Sequence, residues 1–187
     1  MCIRDRCSLA RLGPRARRHV QAALGALDAA LEVAAPFCSI ADLSHVFCSY
    51  ATLCQGPPPA TEAALLGALE AACDAPGVPP GGASAPTISR LCYGLARLRL
   101  HPGPFVAGAI EASAACPELD LWPEHLAMVA WFWQRVGHSP AEGPLLDVGR
   151  RLLFGAAELR PRDLAMALHA VCPVSYTHLT LPTNREV

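Results

Sequence analysis

Apolar residues recur at helical spacing in three stretches of the chain, and the three stretches share one pattern. The positions follow i, i+3, i+4, i+7 and i+10, which places them on one face of an α-helix. These sets are Leu43, Val46, Phe47, Tyr50 and Leu53; Ile88, Leu91, Cys92, Leu95 and Leu98; and Leu126, Val129, Ala130, Trp133 and Val136. The pattern predicts three amphipathic helices that bury corresponding residues.

A second helix is predicted after each of these three, and another helix precedes them. The second helices cover residues 61–73, 104–115 and about 142–154, and the preceding helix covers 15–34. Their predicted core residues are Leu65, Leu66, Leu69, Phe105, Val106, Ile110, Leu145, Leu146, Val148, Leu152 and Leu153. No stretch alternates in the manner of a β-strand over a useful length. The sequence therefore predicts an all-α fold of helical hairpins.

The segment that begins at Pro123 is repeated at Pro161. Pro-Glu-His-Leu-Ala-Met at 123–128 returns as Pro-Arg-Asp-Leu-Ala-Met at 161–166. One unit earlier, between the units at 39–85 and 86–122, corresponding positions are seven residues further apart, and the Pro/Gly-rich stretch 77–85 accommodates the difference as a loop. A fixed period of this size is typical of stacked repeats. We therefore predict an α-solenoid of stacked helical hairpins with a period of about 38 residues.

Both ends of the chain resemble translated sequencing adapter. The first six residues can be encoded by ATGTGTATAAGAGACAG, and the reverse complement of this DNA encodes Val-Ser-Tyr-Thr-His at 174–178 in another frame. We therefore treat 1–6 and 174–187 as adapter-derived artefacts and assign 7–173 to one helical-repeat domain. We predict units at about 7–38 (partial), 39–85, 86–122, 123–160 and 161–173 (partial), and we expect the chain to be a slice of a longer array.

Composition narrows the chemistry. The chain has 187 residues, of which 52% are hydrophobic, and all of its 15 basic residues are arginine. No apolar run of roughly 18 residues is free of charge and proline, so we expect no membrane partner. Nine cysteines without a CxxC pair indicate free thiols in a reducing compartment.

No pattern typical of an active site stands out. Five histidines lie in the region 40–171, and none of them is part of a set of ligands with the spacing of a zinc site. They are His45, His101, His125, His138 and His169. Gly81-Gly82 follows no predicted strand, which argues against a phosphate-binding loop. We therefore expect a protein that is not an enzyme, with no metal, no cofactor and no small-molecule substrate.

The repeat unit is similar to one family of helical repeats. A helix that starts Pro-x-x-Leu-Ala and carries a tryptophan in its third turn opens the hairpin at 123–133, and 86–98 and 161–171 match it in position. In these features residues 40–171 resemble the octotricopeptide class of organellar RNA-binding repeats. Related repeats of FAST-kinase-type proteins and of an RNA-editing substrate-binding complex subunit are also similar. Tetratricopeptide units have a shorter period, and their Trp-x-x-Leu-Gly pattern is absent.

This resemblance implies binding of single-stranded RNA in mitochondria or plastids. The RNA would be bound for processing, stability, editing or translation, with other RNA-processing proteins as further partners. The hairpins themselves are equally typical of HEAT and armadillo repeats. A protein-interaction α-solenoid of that type therefore remains the alternative.

Candidate RNA-binding residues come from the side of each first helix that we expect to lie opposite its core. At i, i+4 and i+7 this side carries His45, Ser49 and Thr52; Arg90, Gly94 and Arg97; and Met128, Phe132 and Arg135. Repeat proteins that read RNA use two or three side chains per repeat, and arginine and aromatic planes stack on bases. The candidates are therefore His45, Thr52, Arg90, Arg97, Phe132 and Arg135. Trp131 and Phe132 are each assigned either to the seam between units or to a binding face.

Net charge is less favourable to this hypothesis, because the formal charge of the chain is −1. Two local clusters of basic residues offset it. One holds Arg11, Arg15, Arg17, Arg18 and His19, and the other holds Arg150, Arg151, Arg160 and Arg162. We expect Arg90, Arg97 and Arg135 to line one concave groove.

Overall fold

The computed structural model describes residues 17–74 and 83–171, with side chains from 24 to 74 and from 83 to 170. Within these ranges the chain forms α-helices, two short 3-10 helices and connecting segments, without strands, which confirms the all-α prediction. The predicted adapter-derived ends, the first part of the partial unit 7–38, and most of the loop 77–85 lie outside the described residues.

Eight α-helices are present in this part of the chain. They are α1 (Arg17–Ala34), α2 (Ile40–Leu53), α3 (Pro59–Asp74), α4 (Ala85–Leu98), α5 (Pro104–Ala115), α6 (Pro123–Val136), α7 (Glu142–Phe154) and α8 (Pro161–Val171). The 3-10 helices are Ala35–Phe37 and Ala156–Glu158. Helix positions predicted from hydrophobic spacing are confirmed to within about two residues at each end.

The helices predicted to be first in each hairpin begin and end in similar ways. α2 begins with a capping box, in which the Asp42 amide donates to the Ser39 hydroxyl at 3.2 Å and the Ser39 amide donates to the Asp42 carboxylate at 3.1 Å. α4 and α6 have proline in the first turn, where no N–H partner is needed. All three helices end in a residue with left-handed backbone: Cys54, Arg99 and Gly137.

Alternate helices pack side by side. α4 packs against α2, α6 against α4, and α8 against α6, and we call these four helices the first-helix row. On one side of it lies the second-helix row, in which α5 contacts α3 and α7 contacts α5, while α1 packs against α3. The main hydrophobic core lies between the two rows. Among the described residues, no helix combines the length and apolarity needed to cross a membrane.

The predicted cores of the first helices are confirmed. Every member of the three apolar sets is buried except Leu98, which is half-buried. α2 and α4 approach closely at Gly94, where a Cβ atom would lie 2.7 Å from the Cβ of Phe47 and 2.8 Å from its carbonyl carbon. Only glycine allows this distance between the two backbones.

The predicted cores of the second helices are partly wrong. Phe105, Leu145, Leu146 and Leu153 are 46%, 48%, 51% and 75% exposed, so they do not face the core. The second-helix row contacts the rest of the protein on a narrower stripe. Each of its helices buries a pair of apolar residues one turn apart, namely Leu65 and Leu69, Val106 and Ile110, and Val148 and Leu152.

Polar side chains hold the connections between helices in place. Glu111 on α5 accepts hydrogen bonds at 2.9 Å from both the Ala141 amide and the His138 ring, and so fixes the connection between α6 and α7. Burial opposes the ionisation of Glu111, but the Ala141 amide and the hydrogen bond and charge of His138 outweigh it, so the pKa of Glu111 is lowered. Arg151 on α7 donates to the carbonyl oxygen of Leu121 at 2.8 Å.

Candidate functional site

The first-helix row leaves one narrow strip of each helix uncovered on the side away from the second-helix row. This strip follows i, i+3 and i+7, and the positions on successive helices correspond. It carries His45, Cys48 and Thr52 on α2; Arg90, Tyr93 and Arg97 on α4; and Met128, Trp131 and Arg135 on α6. Met128 is largely buried within it, whereas the other eight residues are exposed or half-buried.

The sequence pattern predicts that the exposed strip follows i, i+4 and i+7. Its middle position is wrong, because the exposed residue lies at i+3. The residues at i+4 are Ser49, Gly94 and Phe132, and all three are buried. α4 and α6 have a neighbour on both sides in the row, so their buried arc extends beyond the apolar face and includes this position. Gly94 lies against Phe47 of α2 in this way. Phe132 is 0% exposed and cannot contact a ligand, so it is no longer a binding candidate.

Two aromatic rings and two arginines form a continuous stack on this face. The Tyr93 and Trp131 rings lie 6.1 Å apart between centroids, at an interplanar angle of 30°. Arg135 lies over Trp131 with its Cζ 5.8 Å from the ring centroid, and Arg162 lies over Tyr93 at 5.1 Å. Both distances are within the range of cation–π attraction. We call Arg162, Tyr93, Trp131 and Arg135 the aromatic–arginine ladder.

The face is concave. Arg162 belongs to α8 and Tyr93 to α4, so their contact passes over the intervening helix α6. Two cavities lie along it. The larger one, of about 490 Å³, has walls from all four first helices: Cys48, Thr52, Pro86, Ser89, Arg90, Tyr93, Glu124, His125, Met128, Arg160 and Arg162. The smaller one, of about 430 Å³, is lined by Tyr93, Arg97, Trp131, Arg162, Ala165, Met166 and His169.

Positive charge predominates in the larger cavity. Its wall includes three arginines and one carboxylate, that of Glu124. Arg90 is held in position by contacts of its Nη1 with the Ser44 hydroxyl at 3.4 Å and with Nε2 of His45 at 3.2 Å. A guanidinium can only donate, so Nε2 of His45 is the acceptor in this contact.

Two further side chains of the larger cavity are oriented by neighbouring groups. Arg160 donates from Nε to Asp163 at 2.7 Å, and this hydrogen bond, together with the carboxylate charge, raises the pKa of Arg160. His125 accepts the backbone N–H of Trp122 at its Nδ1, with a distance of 3.1 Å. In neutral His125 the ring proton is therefore on Nε2, which can serve as a donor.

Five of the six sequence candidates lie on the concave face. Thr52 and Arg90 line the larger cavity, and Arg97 lines the smaller one. His45 contacts Arg90, and Arg135 lies over Trp131. Burial excludes only Phe132. Arg90, Arg97 and Arg135 do not share one cavity: Arg90 lines the larger one, Arg97 lines the smaller one, and Arg135 lies over Trp131. That the three line one groove stays a prediction.

Sequence reasoning misses much of the cavity wall. The binding residues predicted from sequence do not include Tyr93, Glu124 or Arg162. For Trp131 the prediction leaves open whether it lies at the seam between units or on a binding face. A signal for the aromatic residues is available, because Tyr93, Trp131 and His169 are spaced by the same interval as the helix starts. Arg162 cannot be found in this way, since its contact with Tyr93 depends on the curvature of the row.

Other chemistry finds little support in the described part of the chain. No group of three or more histidine, cysteine, aspartate or glutamate side chains there could hold a metal ion. The described cysteines are free thiols. Burial raises the pKa of the thiols of Cys38, Cys73 and Cys92, which makes them poor nucleophiles.

Comparison with known proteins adds no functional information. No protein-family model, no curated protein and no solved structure matches the chain. The functional interpretation therefore rests on the geometry and charge of the concave face.

Proposed function

We propose that the concave face of the first-helix row binds single-stranded RNA and that the protein acts without catalysis of its own. The aromatic–arginine ladder carries this proposal. Successive bases stack on aromatic side chains, at about 1–3 kcal/mol per base, and arginine adds cation–π attraction and phosphate contacts. Tyr93 and Trp131 are half-buried and an arginine lies over each ring, so a base would stack on a ring in place of that arginine.

The regular spacing of the first helices favours a groove that continues along a repeat array. α4, α6 and α8 begin at Ala85, Pro123 and Pro161, so the interval between successive helix starts is constant. We propose that these helices belong to an α-solenoid with this period, in which every unit contributes one strip to the same face. A strand of RNA would then cross the strips in turn, as it does in other one-base-per-repeat proteins.

Local charge also supports RNA as the ligand. The chain as a whole is slightly acidic, with a formal net charge of −1. On the concave face, however, Arg90, Arg97, Arg135, Arg160 and Arg162 lie close to one another. A local field of one sign attracts a polyanion even when the net charge is small.

The resemblance to octotricopeptide repeats suggests the cellular setting. We propose an organellar protein, in mitochondria or plastids, that takes part in RNA processing, stability, editing or translation. Its RNA-processing partners would bind elsewhere, because the concave face is occupied by RNA in this proposal.

Binding of a random-sequence pool of fluorescent single-stranded RNA tests the proposal. We expect fluorescence anisotropy to show binding that weakens as salt is raised, and weaker binding to duplex RNA, whose bases are not free to stack. A variant with Arg90, Arg97 and Arg135 all changed to Gln should lose most of this affinity. The matched control is Arg150→Gln, which removes an exposed arginine on α7 that lines neither cavity. Equal binding by the triple variant and the wild type would sink the proposal.

A protein-interaction scaffold of HEAT or armadillo type is the second candidate, and one observation favours it. Leu145, Leu146, Leu153 and Phe154 on α7 are between 48% and 86% exposed. Exposed apolar side chains of this size are typical of protein contact surfaces. Replacing Leu145 and Leu153 with Ser would weaken a protein partner captured at this surface and leave RNA binding unchanged, whereas the triple arginine variant would have the opposite effect.

A further inference from the structure

We propose that the larger cavity is a phosphate subsite, which holds one phosphate of an RNA strand while a neighbouring base stacks on the aromatic–arginine ladder. This inference rests on the proposed RNA-binding function and assigns a separate role to each cavity. The phosphate would be recognised by Arg90, Arg160 and Arg162, with Nε2 of His125 as a further donor.

Three arginines from different parts of the chain converge on the larger cavity. The three arginines come from α4, from the connection between α7 and α8, and from α8, yet all of them line one cavity of about 490 Å³. The carboxylates of Glu124 and Asp163 offset two of these three positive charges, so one positive charge remains in excess and attracts an anion. Arginine is suited to that anion, because its planar fork matches phosphate oxygens.

Two of these arginines are held in place before any ligand binds. Arg90 is fixed by Ser44 and His45, and Arg160 is fixed by Asp163. Because these contacts leave part of each guanidinium free, an arriving phosphate meets donors that are already ordered. Less side-chain entropy is then lost on binding than with freely moving arginines.

Tyr93 and Arg162 line both cavities and so connect them. Tyr93 stacks on Trp131 at one side, and Arg162 lies over its ring. The wall of the smaller cavity includes Trp131, Ala165 and Met166 beside Arg97 and Arg162, whereas the wall of the larger one includes three arginines but not Trp131. The two cavities together thus match the two chemically different parts of one nucleotide.

Arg90→Met is the most direct test, since it removes the charge and the donors but keeps a side chain of similar length. Ser44 keeps its hydrogen bond to the carbonyl oxygen of Ala41, at 2.8 Å, so we expect the fold to persist, as an unchanged circular dichroism spectrum would verify. RNA affinity should fall about tenfold or more. The slope of log affinity against log salt should become shallower by about 0.7, the value for one phosphate of a single strand.

The controls separate charge from other effects. Arg90→Lys keeps the charge and should retain most of the salt slope, while Arg150→Met should change neither affinity nor slope. Trp131→Ala removes a stacking platform, and it should lower affinity without changing the slope. If Arg90→Met binds RNA with the slope of the wild type, the phosphate subsite is refuted while RNA binding itself still stands.

Inorganic phosphate provides a second probe that needs no RNA. At an ionic strength matched with chloride, phosphate should raise the melting temperature of the wild type more than that of Arg90→Met. An equal rise in both proteins would show only a general salt effect and would overturn the subsite. If phosphate stabilises the wild type selectively but RNA does not bind, the subsite is one for free phosphate and the RNA-binding role is wrong.

Discussion

Tyr93 and Trp131 lie on neighbouring first helices, and their rings stack with centroids 6.1 Å apart. The contact joins α4 and α6 on the concave face, with an arginine over each ring. It therefore has two consequences. It adds to the packing between α4 and α6, and it places two aromatic rings on the face that we propose binds RNA.

Loss of the Trp131 ring should weaken RNA binding. We expect Trp131→Ala to reduce the binding free energy by about 1–3 kcal/mol, because one base loses its stacking platform. Anisotropy titrations with single-stranded RNA would measure the change. Trp122→Ala is the matched control, since Trp122 is 58% exposed and lines neither cavity. Similar affinities for the two variants would argue against the ladder as the binding surface.

Removal of the Glu124 charge should have the opposite effect. Glu124 is the one carboxylate among the described residues that line the larger cavity, and it repels an incoming phosphate. We expect Glu124→Gln to strengthen RNA binding by up to about 1 kcal/mol, the range for exposed charge pairs, and the gain should shrink at high salt. Glu118→Gln, which neutralises an exposed carboxylate away from the cavities, should leave affinity unchanged. Weaker binding by Glu124→Gln would mean that the carboxylate accepts a hydrogen bond from the ligand.

The close approach of α2 and α4 predicts the stability of two glycine variants. Gly94→Ala should destabilise the fold by about 1–3 kcal/mol, because the new methyl group overlaps Phe47 and the backbone of α2. Gly108→Ala on α5 should stabilise it by up to about 1 kcal/mol, since nothing lies within 4 Å of the added Cβ and alanine favours the helix. Urea unfolding of both variants would measure the two effects. A stabilising Gly94→Ala would show that the two helices are further apart.

The interactions of Glu111 predict a pH dependence of stability. Its folded pKa is lowered below its unfolded pKa, so the carboxylate contributes stability that is fully present above the unfolded pKa. This contribution is lost as the pH falls through the folded pKa. Glu111→Gln should therefore be less stable than the wild type near neutral pH, and the difference should diminish in acid. Urea unfolding over a pH series would show it, with Glu158→Gln as an exposed control; a difference that stays constant with pH would contradict this role.

The helices and the core of the first helices could be predicted from sequence, because their cause is local. Spacing by three and four residues decides which face of a helix is apolar, and Leu43, Leu91 and Leu126 are buried as that spacing predicts. The second helices show the limit of this argument. Leu153 and Phe105 are apolar and correctly spaced, but the second-helix row covers only a narrow stripe, so both remain exposed.

The binding face depended on information that the sequence pattern does not contain. Whether position i+4 of a first helix is exposed is decided by the neighbouring helices, and Phe132 is buried because the row has a helix on each side of α6. The contact between Arg162 and Tyr93 likewise follows from the curvature of the row. Arg90 and Arg97 could be predicted because they occupy positions i and i+7. These belong to the exposed strip whether its middle position is i+3 or i+4.

Photo-cross-linking tests the central claim most directly. Single-stranded RNA bound to the full chain would be cross-linked with ultraviolet light, and the modified residues would be identified by mass spectrometry. The account predicts cross-links at Tyr93 and Trp131, competed away by unlabelled RNA and reduced in the variant with Arg90, Arg97 and Arg135 changed to Gln. Cross-links confined to the second-helix row, on α3, α5 and α7, would contradict it.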